Sequence, residues 1–219
     1  MAIMATAKGE ARKLVPAGKY FGVCVGVYDI GTQASERWEP SHKIILEFEL
    51  HRKNGPVKDE DGKPLKYSGF YPLRFGKQKN GTKAKLRQVV EGILGRNFTD
   101  EEAKEGYDVT LLLDAGCRMH VVHETADSGT KYEEMTFTSL DEDDPRIRPE
   151  SDGIVYELDP EEDIPSSVPE WIAKQVKKSV EWTKVHGSSE GGTSVSNGNS
   201  SGKKPKAKPA DDEDDDIAF

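Results

Sequence analysis

The chain lacks the features that would mark a membrane protein, a disulfide-stapled domain or a familiar enzyme. Among its 219 residues there are two cysteines, Cys24 and Cys117, too few for a disulfide framework. Each lies in an apolar run, where a reduced, buried thiol is the ordinary state. No stretch of about 18 apolar residues occurs, so no membrane-spanning helix is expected. Residues 1–15 hold Lys8, Arg12 and Lys13 without an apolar segment, so no secretory signal is expected and the reading is a cytoplasmic protein. Neither an HExxH pattern, a phosphate-binding Walker loop nor a nucleophile motif is present. Cys117, His120 and His123 do not add up to a metal site, because strand residues three apart point to opposite faces. Neither a catalytic residue nor a cofactor or metal is expected.

The overall charge balance is negative. The formal net charge is −9, which at first argues against a nucleic-acid partner. The distribution reverses this. Residues 1–140 carry 21 Lys and Arg against 20 Asp and Glu, and residues 141–219 carry 10 against 20. The front of the chain is near neutral with local basic clusters, and the acidity is at the back.

What is present reads as a small β domain with tails. Residues 1–17 form a mildly basic arm. A first strand is expected over 18–30, with Phe21, Val23, Val25 and Val27 on one face and Tyr20, Gly22, Cys24, Gly26 and Tyr28 on the other. A second, over 42–51, alternates Ile44, Leu46, Phe48 and Leu50 inward with Lys43, Glu47 and Glu49 toward solvent; Glu133 and Glu134 read as solvent-facing too. A third spans 65–75, where Pro72 implies an edge or a bulge. Thr82 reads as the N-cap of a helix with an apolar stripe of Leu86, Val89, Val90, Ile93 and Leu94, stopped by Gly95. Thr99 caps a second helical turn with an acidic start, and Leu111–Leu113 is expected to close the core. Strands over 117–123 and 131–140 are joined by a turn at 127–129. The order strand, strand, strand, helix, strand, strand is that of an all-β, five-stranded OB-fold, a Greek-key barrel with its helix between strands three and four. That domain covers 18–140. Residues 141–186 follow as an acidic connector, with one apolar run at 154–156, and an amphipathic helix. Ser167 and Glu170 spell a capping box for that helix. Residues 187–210 read as a flexible linker and 211–219 as an acidic tip.

The chemistry-bearing material is concentrated in one stretch. Lys63, Lys66, Arg74, Lys77, Lys79, Lys83, Lys85 and Arg87 are interleaved with Tyr67, Phe70, Tyr71 and Phe75. Single strands are held by basic grooves that follow the backbone and by aromatic rings that stack on bases. On an OB barrel, strands two and three with their loops form the binding face. Trp38, beside Arg37 in a polar loop, is the best single stacking candidate.

The last residues read Asp211-Asp212-Glu213-Asp214-Asp215-Asp216-Ile217-Ala218-Phe219. Six carboxylates in a row cannot pack on themselves, and a solvated run has no need of an apolar end. The tip resembles the acidic tip of bacterial single-stranded DNA-binding proteins, which ends Asp-Asp-Asp-Ile-Pro-Phe, with Ala218 here in place of Pro. Segments 20–31, 80–95, 99–123 and 169–182 are similar to phage-encoded single-stranded DNA-binding proteins. The resemblance implies a non-enzymatic OB-fold protein of the host cytoplasm. It would coat single-stranded DNA during replication, recombination and repair. It would recruit replication and recombination proteins through Asp214, Asp215, Asp216, Ile217, Ala218 and Phe219, and a homo-oligomer is compatible with it. A protein-interaction adaptor that binds no nucleic acid, and a DNA-processing enzyme with an OB module, are the rival readings.

Overall fold

The computed structural model describes residues 14–35, 39–126, 129 and 131–187. Arg37 and Trp38, most of the N-terminal arm, and the linker and tip lie outside the described residues.

One strand organises the sheet. β1, Gly18–Gln33, runs antiparallel to β2, Ser41–Arg52, along most of its length. Its other edge is shared by two partners. Gly18–Val23 pairs antiparallel with β5, Gly116–Thr125, and Gly26–Tyr28 pairs parallel with β7, Ile154–Tyr156. β5 continues into β6, Lys131–Ser139. On the far side, β2 pairs with the two-residue β3, Gly55–Pro56, and with β4, Lys66–Pro72. The described residues thus form a mostly antiparallel, seven-stranded sheet, and it is not closed. β4 and β6 do not pair, although Tyr67 and Phe137 bring their rings within 6.4 Å across the gap. Helix α1, Lys85–Leu94, packs against β4, β5 and β6 instead. It sets Leu86, Val89, Val90 and Ile93 into the core. The five-stranded barrel expected from the sequence is replaced by an open sheet whose seam is filled by a helix face.

The alternation expected along β1 is broken. The β1–β2 register slips between Cys24 and Gly26, leaving Val25 as an extra residue. A bulge of one residue exchanges the faces beyond it. Tyr20, Cys24 and Val27 therefore share the core enclosed with α1, whereas Tyr28 and Ile30 face a second apolar cluster. Both thiols are free and buried; burial pushes that of Cys24 up to about 12.

The second cluster explains the largest departure from expectation. The stretch read as an acidic connector carries β7, and beyond it α3, Glu170–Val176, and α4, Val180–His186. Ile172, Val176 and Trp182 pack with Val168 and Tyr156 onto Tyr28, Ile30 and Ile45. The back of the sheet is thus a second core. Glu47 and Glu49, expected in solvent, are buried there with His51. Each carboxylate has its donors, as a buried charge requires. Lys66 Nζ and Ser68 Oγ approach Glu47 at 2.9 and 3.2 Å. Glu49 accepts the amides of Glu150 and Ser151, both at 2.9 Å, and lies 2.8 Å from His51 Nε2. Burial by itself would raise the Glu49 pKa, but these hydrogen bonds outweigh it and hold the carboxyl below the usual range.

Local signals fared unevenly. Gly95 ends α1 at φ 66°, and Thr99 forms a full capping box with Glu102 at the start of α2, Asp100–Glu105. Thr82 does not cap α1. Its hydroxyl and amide are taken by Asn80, and the helix starts after Ala84 without a side-chain cap. Leu112 is buried but Leu111 is exposed. The Ser167–Glu170 capping box does not form, since Pro169 occupies the N-cap. The single helix expected there breaks before Ser179, whose buried side chain caps α4 through the Trp182 amide. α4 is fixed to β1 by Glu181, which accepts Thr32 Oγ1 at 2.6 Å and the Thr32 amide at 2.8 Å. The chain passes under this contact at Gly31, φ 68°, where a Cβ would meet Leu158, Glu181 and Ser179 below 3.0 Å.

Candidate nucleic-acid interface

The structure sorts the basic residues expected at the interface into two groups. The first is committed to the fold. Arg87 is 2% exposed and lies on the buried side of α1. Its Nε donates to Glu91 at 2.9 Å, its Nη2 donates to the Phe98 carbonyl, and Asp100 lies 3.6 Å away. Lys83 donates to Glu91 at 2.6 Å and Asn97 at 2.7 Å. Lys66 pairs with the buried Glu47 at 2.9 Å. Lys77 is bound less firmly, because its 2.7 Å pair with Asp100 is exposed on both sides and such a pair contributes little. Glu91 is partly desolvated, which would raise its pKa, yet Lys83, the Phe98 amide and Arg87 hold it low. Arg87 is therefore a structural cation, and a helix-position count could not have shown it. The second group is exposed: Lys63, Arg74, Lys79 and Lys85. None of these four has a carboxylate within ion-pair distance among the described residues. Residues 76–84 fold into a tight loop, closed by the Ala84 amide on the Gly76 carbonyl at 2.9 Å, that carries Lys79. β4 meets β2 with Pro72 opposite Lys43. Arg74 and this loop therefore follow at the end of the sheet where β2 begins.

The aromatic residues divide in the same way. Tyr67 and Tyr71 belong to the core under α1, and burial raises the Tyr71 hydroxyl well above its usual range. They are not available for stacking. Phe75 is partly buried and packs on Phe98 at 5.0 Å and Tyr107 at 5.9 Å. Phe70 is different. It points to the back of the sheet, half-buried, and its ring lies 6.2 Å from that of Trp171 at an angle of 55°. Trp171 is 40% exposed, the only tryptophan so exposed among the described residues. Trp182 is buried and stacks on His186 at 4.0 Å. Lys174, one turn beyond Trp171 on α3, is exposed and, among the described residues, pairs only with the exposed Glu170. Such a pair contributes little and exchanges readily.

Trp171 was missed as a candidate because its partner is about 100 positions away in sequence. The available signal was its place at the start of a helix, out of line with the buried Ile172 and Val176. Among the described residues no group of three or more His, Cys, Asp or Glu side chains could hold a metal. His123 is engaged instead with the Val15 carbonyl at 2.7 Å. No described helix is long and apolar enough to cross a membrane. Searched against protein-family models and curated proteins, the chain matches none.

Proposed function

We propose that this chain is a non-enzymatic single-stranded DNA-binding protein that covers exposed strands during replication, recombination or repair. The observation that carries the reading is the exposed Trp171 ring seated against Phe70, with the exposed Lys174 one turn along α3 and the exposed Arg74 four residues along the chain from Phe70. An exposed indole backed by a second, tilted ring, with exposed positive charge on the same elements, suits bases that stack without sequence preference and phosphates that need only neutralisation. The strand connectivity supports it too. β1 pairs with β2 and β5, β2 with β4, and β5 with β6, with α1 between β4 and β5. That is the connectivity of an OB-fold, here with an unpaired seam and two added strands. On such a fold the face of the second and third strands receives the nucleic acid. In this chain that face is overlaid by residues 141–187, so the binding surface is shared between β4 and α3.

The acidic tip, Asp214 to Phe219, acts in this reading as the hook for replication and recombination proteins. Its terminal ring fills an apolar pocket and its carboxylates meet a basic rim. The test of the reading is intrinsic fluorescence. Adding oligothymidine at low salt quenches tryptophan emission in the wild type, and the quench is reduced in Trp171→Ala. Emission that does not change with oligothymidine favours the adaptor that binds no nucleic acid.

A further inference from the structure

A second cationic feature lies at the other end of β2 and was assigned no role by the sequence. A cleft of about 130 Å³ opens between the β2–β3 hairpin and residues 145–148. It is lined by His51, Arg52, Lys53, Arg146 and Arg148 together with backbone and proline surface. It sits in a segment whose composition is acidic, so its sign needs explaining.

The local acids are already in use. Arg118 binds both Asp141 and Asp144, at 2.5 and 2.7 Å. Glu150 is paired with Lys58. Glu49 is buried, with His51 and two backbone amides around it. Asp144 feels the charge of Lys53, but its carboxylate is committed first to Arg118. Among the described residues, Arg52, Lys53, Arg146 and Arg148 therefore have no carboxylate within ion-pair distance. Arg52 is held in place by the Tyr20 ring, 4.4 Å from its guanidinium carbon. Arg146 and Arg148 are exposed on either side of the half-buried Ile147, the alternation of an extended segment. Pro145 and Pro149 bracket it and restrict its backbone. Glu49 fixes the following amides to β2. Cations positioned in this way, without a carboxylate partner among the described residues of a chain of net charge −9, are arranged for an external anion. Guanidinium forks match phosphate oxygens in pairs.

We propose that this cleft is a phosphate-binding subsite for the backbone of a single strand, separate from the Phe70–Trp171 platform. The proposal rests on the strand-binding reading. Ile45, which pairs with Phe70, and Arg52 are seven residues apart along β2, roughly 24 Å at about 3.4 Å per residue. An oligonucleotide of several residues is needed to occupy both places.

The experiment compares wild type with Arg146→Glu/Arg148→Glu, both exposed positions outside regular elements. Thermal melting first confirms an unchanged fold. Binding of oligothymidines of about 4 and about 16 nucleotides is then measured across salt concentrations. The expected result is several-fold weaker binding of the longer strand and a salt slope shallower by about 1.4, at about 0.7 per lost phosphate contact, with the short oligomer affected little. Unchanged affinity and slope for the longer strand, in a wild type that binds it, overturn the subsite and leave the platform standing. A wild type that binds neither oligomer overturns the reading of the whole chain. If inorganic phosphate raises the wild-type melting temperature while strand binding is the same in both proteins, the cleft takes a free anion, and the strand proposal is wrong.

Discussion

Arg87 separates fold from function most sharply, because sequence and structure assign it to different tasks. As a phosphate contact, its loss would weaken strand binding and leave the fold intact. The structure puts it on the buried side of α1 at 2% exposure, with its charge met by Glu91 and the Phe98 carbonyl. Breaking a buried ion pair by removing one partner costs about 3–5 kcal/mol, mostly because the other charge is stranded. Glu91 would not be wholly stranded in Arg87→Ala. It keeps Lys83 at 2.6 Å and the Phe98 amide at 2.9 Å. The expected loss is therefore at the lower end, about 3 kcal/mol. For a domain of this size that corresponds to a fall in melting temperature of about 6–12 °C. Circular dichroism melting reads this directly. The salt slope of strand binding, measured well below the transition, should match wild type. Lys79→Glu and Lys85→Glu should do the reverse, with an unchanged melt and a slope shallower by about 0.7 each. An Arg87→Ala protein that melts like wild type but binds with a reduced slope would refute the burial argument.

Two further predictions concern the back of the sheet. Glu49 has a folded pKa below its ordinary 4.5, so its contribution is complete above that value and is lost as pH falls through the folded pKa. Urea midpoints should therefore fall on acidification below about pH 4.5, and Glu49→Gln should be less stable at pH 7 with a flatter acid limb. An equally steep limb in the variant would assign the acid sensitivity to other carboxylates. Ile172→Ala removes a fully buried side chain between α3 and the sheet and should cost about 2–5 kcal/mol in denaturant unfolding; a loss below about 1 kcal/mol would mean that α3 does not form part of the core.

The elements written in local code were legible. The alternation of Ile44 to Leu50 gave β2 its inner face, the stripe from Leu86 to Ile93 gave α1, and Gly95 and Thr99 marked real ends. What failed depended on partners far away in sequence. Glu47 and Glu49 alternate like solvent-facing residues, and it is partners such as Lys66 and the amides of Glu150 and Ser151, up to 102 positions distant, that make burial tolerable. The apolar run at 154–156 was visible, but not its parallel pairing with Gly26–Tyr28. Gly26, beside the bulge at Val25, hinted at a bend, but not at the one-residue slip that moved Tyr28 from one core to the other. The basic cluster was visible as composition. Its division into structural cations such as Arg87 and exposed ones such as Lys79 is set by tertiary neighbours.

The central claim is that Trp171 and Phe70 form a surface on which a single strand stacks. The direct measurement is the affinity of a labelled oligothymidine of about 16 nucleotides for wild type and Trp171→Ala, with a duplex of the same length alongside. Wild type is expected to prefer the single strand to the duplex. Trp171→Ala is expected to lose about 1–3 kcal/mol of single-strand binding with an unchanged melting temperature. Equal binding of the oligothymidine by wild type and variant, or equal affinity for strand and duplex, would contradict that claim.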